Sequence, residues 1–168
     1  MIDIAKLSSR YLVRSLDATD LDDIVELCRH NTVFYQYTDA RPTRAHIRDD
    51  MRAAPPGIDP SAKYYFGFFD DQALVAVMDL VDGYPKADIA YIGFFMMDVK
   101  RQGKQAGTAI IREVIHYLSS IGKTAVRLAI DKDNPQSTHF WRKNGFEIIT
   151  EVNINGWTKL VAEKALIL

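Results

Sequence analysis

A single cysteine, Cys28, stands among the 168 residues, too few for an intrachain disulfide or a cysteine-held metal. No stretch reaches the ~18 consecutive apolar residues of a transmembrane helix, and the opening Met1-Ile-Asp-Ile-Ala-Lys has an acid where a signal peptide would carry an apolar run. Charge of one sign is also missing: 21 Lys and Arg against 22 Asp and Glu give a net charge of −1. That balance leaves no electrostatic footprint for general nucleic-acid binding. With 48% hydrophobic and 26% charged residues, the composition is that of an ordinary globular chain, long enough to bury roughly 70% of its unfolded surface. The expectation is one domain over residues 1–168, cytoplasmic, with no membrane partner, no nucleic acid and no metal.

What is present is a well-punctuated order of elements. A short strand at 11–13 is followed by Asp17-Ala-Thr-Asp20, which offers N-caps for a helix running to about Arg29. Cys28 falls on that helix's apolar face with Leu21, Ile24 and Val25, the place of a buried structural thiol. A second helix is expected from Thr43 to before the breaker cluster Ala54-Pro-Pro-Gly57. Three β-type runs follow at 64–69, 73–81 and 87–98, separated by Asp70-Asp71 and Asp82-Gly83-Tyr84-Pro85. Ile110, Ile111, Val114, Ile115, Leu118 and Ile121 give a helix over 107–121 one buried face. A strand at 126–130, a helix at 135–143 and two strands near 146–152 and 157–162 complete the chain. A helix between the strands at 87–98 and 126–130 implies that they pair in parallel within an otherwise antiparallel sheet.

The first chemical signal is Phe95-Met-Met-Asp-Val-Lys-Arg-Gln102-Gly-Lys-Gln-Ala-Gly107-Thr, which joins a strong strand directly to a strong helix. Gly103 and Gly107 allow a sharp turn, and the helix's first amides have no intrahelical acceptors, a ready anion site. Lys100, Arg101 and Lys104 add cationic reach. The alternative is a tight turn and nothing more. The stretch lacks the Gly-Lys-Ser/Thr ending of a P-loop and the position of a dinucleotide fingerprint. The second signal is Asn134-Pro-Gln-Ser-Thr-His-Phe-Trp141-Arg-Lys-Asn-Gly145-Phe146, in which Asn134, Pro135 and Gly145 are also explained by helix capping.

Together the two stretches resemble the GCN5-related N-acetyltransferase (GNAT) family, whose loop reads Gln or Arg, two residues, Gly, any residue, then Gly or Ala. Here it is Gln102, Gly103, Lys104, Gln105, Ala106, Gly107, with Gln105 where the family has its middle glycine. Asn134, Trp141, Gly145 and Phe146 reproduce the second family pattern, and the element order agrees from about Tyr11 onward. The resemblance implies an α+β fold, layered α/β/α, with a mixed, mostly antiparallel sheet of six to seven strands, a splayed parallel pair and about four helices. It implies acetyl-CoA as co-substrate and a small-molecule or peptide amine as acceptor. Phe95, Met96 and Met97 would offer backbone groups to the pantetheine arm and thioester. Gln102, Gly103, Lys104, Gln105, Ala106, Gly107 and Thr108 would form the pyrophosphate loop. Asn134 would hydrogen-bond the cofactor arm, and Trp141 would pack against the cofactor. Gln105 fits this scheme if its φ is negative.

Two departures concern catalysis. Trp141 stands where many members have a Tyr acid, and an indole N–H cannot serve as that acid. Tyr91 stands where many have a Glu base; its roles are a half-buried strand aromatic or a hydroxyl that orients a water or the substrate. His139 is the other catalytic candidate, against a surface role. Asp79, Asp82 and Asp88, with Tyr64, Tyr65 and Tyr84, could attract a cationic amine or simply form a solvated hairpin. A non-catalytic acyl-CoA sensor of the same fold is the alternative function. Exposed strand edges are compatible with a homodimer, and nothing in the sequence selects one.

Overall fold

Seven strands form one sheet in the order β1-β2-β3-β4-β5-β7-β6, in a computed structural model that describes residues 1–167. In chain order the elements are β1 (Leu12–Ser15), α1 (Leu21–Arg29), α2 (Arg44–Arg52), β2 (Lys63–Asp70), β3 (Ala73–Asp82), β4 (Ile89–Met97), α3 (Ala106–Ser120), β5 (Ala125–Asp131), α4 (Pro135–Lys143), β6 (Glu147–Ile154) and β7 (Trp157–Ala165), with short 3-10 turns between some of them. All neighbours are antiparallel except β4 and β5. The expected α+β class, the seven strands and the parallel pair are all observed. The last two strands insert in reverse, β7 lying between β5 and β6.

The caps are those the sequence offers. The Thr43 hydroxyl accepts from the His46 amide to start α2, and Asn134 Oδ1 accepts from the Ser137 amide to start α4, each satisfying one of the donors a helix N-terminus leaves open.

Side chains alternate across β2 and β3, so the sheet is apolar on both faces. Phe66, Phe68, Met78 and Leu80 pack with Ile110, Ile111, Val114 and Leu118 of α3. Tyr65, Val77 and Met96 face the other way, onto Leu21, Ile24, Cys28 and Ile47 of α1 and α2. A sheet with two buried faces holds its strands rigidly, and that rigidity positions the place where two of them separate.

Candidate active site

β4 and β5 pair only from Ile89↔Ala125 to Ile92↔Leu128. Beyond that point they part, because β4 carries a bulge: the register with β3 passes from Leu80↔Ile92 to Asp79↔Phe94 and leaves Gly93 unpaired. A bulge bends its strand and interrupts the ladder. The Phe95 ring lies 6.0 Å from Phe140 and 6.1 Å from Trp141 of α4, so α4 side chains occupy the space beside the diverging strand. A cavity of about 780 Å³ opens there, running from α1 and α2 past the bulge to the start of α3 and to α4. Its size is that of a small-molecule site.

At one end is the turn after β4. The Asp98 carboxylate accepts from the Lys100 amide, the Gln102 amide donates to the Val99 carbonyl, and the first main-chain bond of α3 runs from Ala109 to the Gln105 carbonyl. Between them, the amides of Gly103, Lys104, Gln105, Ala106, Gly107 and Thr108 meet no acceptor among the described residues. Gly103 has φ +75°, with open space where a Cβ would be. Gln105 has φ +59°, which corrects the expectation of a negative φ: the loop keeps its left-handed turn and a glutamine bears it. Gly107 is closely packed instead: a Cβ there would lie 2.8 Å from Met97 Sδ.

The other loop residues divide. Lys100 and Lys104 are exposed, whereas Arg101 is held by Asp70 at 2.8 Å. Gln102 lines the cavity, but its Nε2 donates to Asn31 Oδ1 at 2.6 Å and to the Met97 carbonyl at 3.2 Å. Asn31 in turn donates to the Leu27 and Met97 carbonyls. This buried bridge ties the end of α1 to the end of β4, and sequence reasoning missed it because its partners lie 66 and 71 residues apart.

On α4, Trp141 is buried against Phe95, Phe140 and Phe146 and reaches the cavity wall with the exposed His139. Asn134 is fully buried; its Oδ1 caps the helix, and its Nδ2 has no partner among the described residues.

The opposite end is lined from α1, α2, β2, β3 and the first half of β4. Tyr91 lies on this wall, edge-on to Tyr84, and burial pushes its hydroxyl up to about 12. Of the three expected acids, only Asp79 faces the cavity. Asp82 is paired with Lys123 and lies 3.5 Å from the N-terminal amine, and Asp88 accepts from the Thr124 hydroxyl at 2.7 Å. Tyr64 turns to the other face of the sheet, where its hydroxyl accepts from the Ile2 amide, while Tyr65 stays on the cavity wall. Asp79 is bound by the buried Lys63 at 2.6 Å. Lys63, Asp50 and Tyr35, also on this wall, carry no motif that would have singled them out.

Cys28 lies on the same wall, nearer than its separation in sequence from both motifs suggests. It is fully buried, and burial pushes its thiol up to about 11 against the opposing pull of the Tyr35 hydrogen bond. It is a protonated thiol at physiological pH and a poor nucleophile.

A family model described as Acetyltransferase (GNAT) family matches residues 24–146. An uncharacterised N-acetyltransferase of Methanocaldococcus jannaschii is 24% identical over 166 residues, covering 95% of this chain and 70% of that protein. The crystal structure of an acetyltransferase from Thermus thermophilus superposes with a TM-score of 0.73 at 20% identity, over 92% of this chain and 96% of that one. The PaiA N-acetyltransferase of Thermoplasma acidophilum, crystallised in complex with coenzyme A, superposes with a TM-score of 0.65 at 17% identity, over 91% and 97% of the two chains.

Proposed function

The chain belongs to the acetyltransferase (GNAT) family, and from that premise we propose that it transfers an acetyl group from acetyl-CoA to a primary amine of a small molecule or peptide. The observation that carries this reading is the row of six amides, Gly103 to Thr108, left without acceptors at the start of α3. Unpaired N–H groups at the positive end of a 15-residue helix favour a pyrophosphate, and Lys100 and Lys104 add charge nearby. The β4 edge from Phe95 to Met97, unpaired by β5, suits an extended arm laid alongside it as an added strand would be. The thioester end would then reach the Gly93 bulge, where the two halves of the cavity meet.

Direct attack of the amine in a ternary complex fits this wall. Cys28 is buried and its thiol is held protonated, so an acyl-cysteine intermediate has no nucleophile. A thioester is already activated, and holding the amine in line is worth about 7–11 kcal/mol. That contribution makes the absence of a tyrosine hydroxyl at Trp141 tolerable.

The test has two parts. Calorimetry is expected to show coenzyme A binding, and a thiol-release assay over a panel of primary amines is expected to show turnover. Failure to bind coenzyme A rejects the reading outright. Binding with no turnover on any amine makes the protein an acyl-CoA sensor instead.

A further inference from the structure

The acceptor half of the cavity contains one buried polar atom without a partner, and its surroundings say what would complete it. Asp79 is 8% exposed, and its Oδ1 accepts no hydrogen bond from the described residues. Lys63 cannot supply another donor, because its ammonium group already donates to Asp79 Oδ2, the Asp50 carbonyl and the Ala53 carbonyl, which uses all three hydrogens. Asp79 and Gly93 line the cavity side by side at the bulge. A Cβ built on Gly93 would lie 3.0 Å from Oδ2 and 3.3 Å from Oδ1, so a side chain at this position would crowd the carboxylate. A buried acceptor without a protein donor is costly, and a donor brought to it offsets that cost.

We propose that this half of the cavity takes a cationic primary amine, and that Asp79, held by Lys63 beside the Gly93 bulge, receives the amine's proton before attack. The inference rests on the acetyltransferase reading above. The groups facing Asp79 agree with it. Lys63 and Tyr65 come from β2, Asp50 from α2 and Tyr91 from β4. Burial raises both tyrosine hydroxyls well above the physiological range, so they stay neutral and add no charge that would compete with an ammonium ion. Two carboxylates face one lysine here, with His46 3.6 Å from Asp50.

The ammonium ion gives one proton to Asp79; the freed nitrogen lone pair forms a bond to the thioester carbonyl carbon; the carbon–sulfur bond breaks. The leaving thiolate takes the second proton lost by the nitrogen, giving amide and coenzyme A, and Asp79 returns its proton to solvent. Burial pushes Asp79 up to about 6, with Lys63 pulling the other way, so it is ionised at neutral pH yet basic enough to hold a proton in passing.

The experiment is calorimetry on the coenzyme A-bound protein with phenethylamine, n-butylamine and Ala-Phe amide, each against its alcohol counterpart (phenethyl alcohol, n-butanol and lactyl-Phe amide). At pH 7.5 at least one amine is expected to bind about 10-fold or more tighter than its alcohol. That preference disappears at pH 5, where Asp79 is protonated, and disappears at pH 7.5 in Asp79→Asn. Turnover of the preferred amine falls about 100-fold or more in the variant, in the range of a lost general base, and the acidic limb near pH 6 is lost with it. A His46→Asn variant keeps the loss at pH 5, which separates Asp79 from the histidine 3.6 Å from Asp50. An amine preference that survives in Asp79→Asn or at pH 5, or no preference for any amine, overturns the proposal. Should the variant fail to fold, the comparison between the two pH values in wild type and in His46→Asn together decides the matter. If wild-type protein does not bind coenzyme A, the acetyltransferase reading has failed first; equal coenzyme A affinity in wild type and variant isolates the role of Asp79.

Discussion

At the scale of single residues, chemistry and conformation separate cleanly. The burial of Cys28 was legible from helical spacing, whereas its place on the cavity wall was not, because the wall is assembled from elements distant in sequence. Iodoacetamide at pH 8 is expected to leave native Cys28 unmodified by mass spectrometry and to modify it once the protein is unfolded, since its thiol lies at about 11 behind a packed face. Gln105 carries a glycine-like φ of +59° on an ordinary side chain, a conformation that sequence reasoning could not anticipate without the turn around it. Gln105→Gly should leave stability equal or raise it by up to ~1 kcal/mol, because lost backbone strain is offset by added freedom in the unfolded chain. Gln105→Val should lower it by about 1–2 kcal/mol, a β-branched residue being poorly tolerated at positive φ. Urea denaturation of the two variants checks both signs. Asp79 was visible as an acid in a strand, but its partner Lys63 and the bare Gly93 beside it belong to two neighbouring strands and emerge only from the register.

At the scale of elements, periodicity and punctuation located each helix and strand to within a few residues, since most of the apolar faces found in the sequence are buried in the fold, Ile121 and the outer strand β6 being exposed. Register was not legible. The bulge at Gly93 and the insertion of β7 between β5 and β6 are both decided by partners across the sheet, and a glycine in an apolar strand run does not announce which it serves. The packing of α3 gives a direct test. Gly107→Ala places a methyl 2.8 Å from Met97 Sδ and 3.2 Å from the Phe140 ring, which overpacks the contact and should cost about 1–3 kcal/mol in stability. Because the same shift moves the start of α3, coenzyme A affinity should fall as well, measured by calorimetry on the variant. An unchanged affinity at reduced stability would place the α3 amides outside the binding site.

At the scale of the whole molecule, the central strands β2 to β4, covered on both faces, provide a rigid frame, and the parting of two strands provides an opening without a loop having to be ordered first. A ligand that binds only the folded state adds about 2.7 kcal/mol at 100 times its Kd, which for a chain of this size corresponds to roughly 5–11 °C in melting temperature. Saturating coenzyme A should produce a shift of that order by differential scanning fluorimetry, while adenosine, which lacks the pyrophosphate, should produce little. The most direct measurement is the ¹H–¹⁵N NMR spectrum with and without coenzyme A. If the turn after β4 holds the pyrophosphate, the amide protons of residues 103–108 move downfield together as acceptors reach them, ahead of amides elsewhere in the sheet. Those six resonances staying in place while coenzyme A binds, or coenzyme A failing to bind at all, would contradict the account.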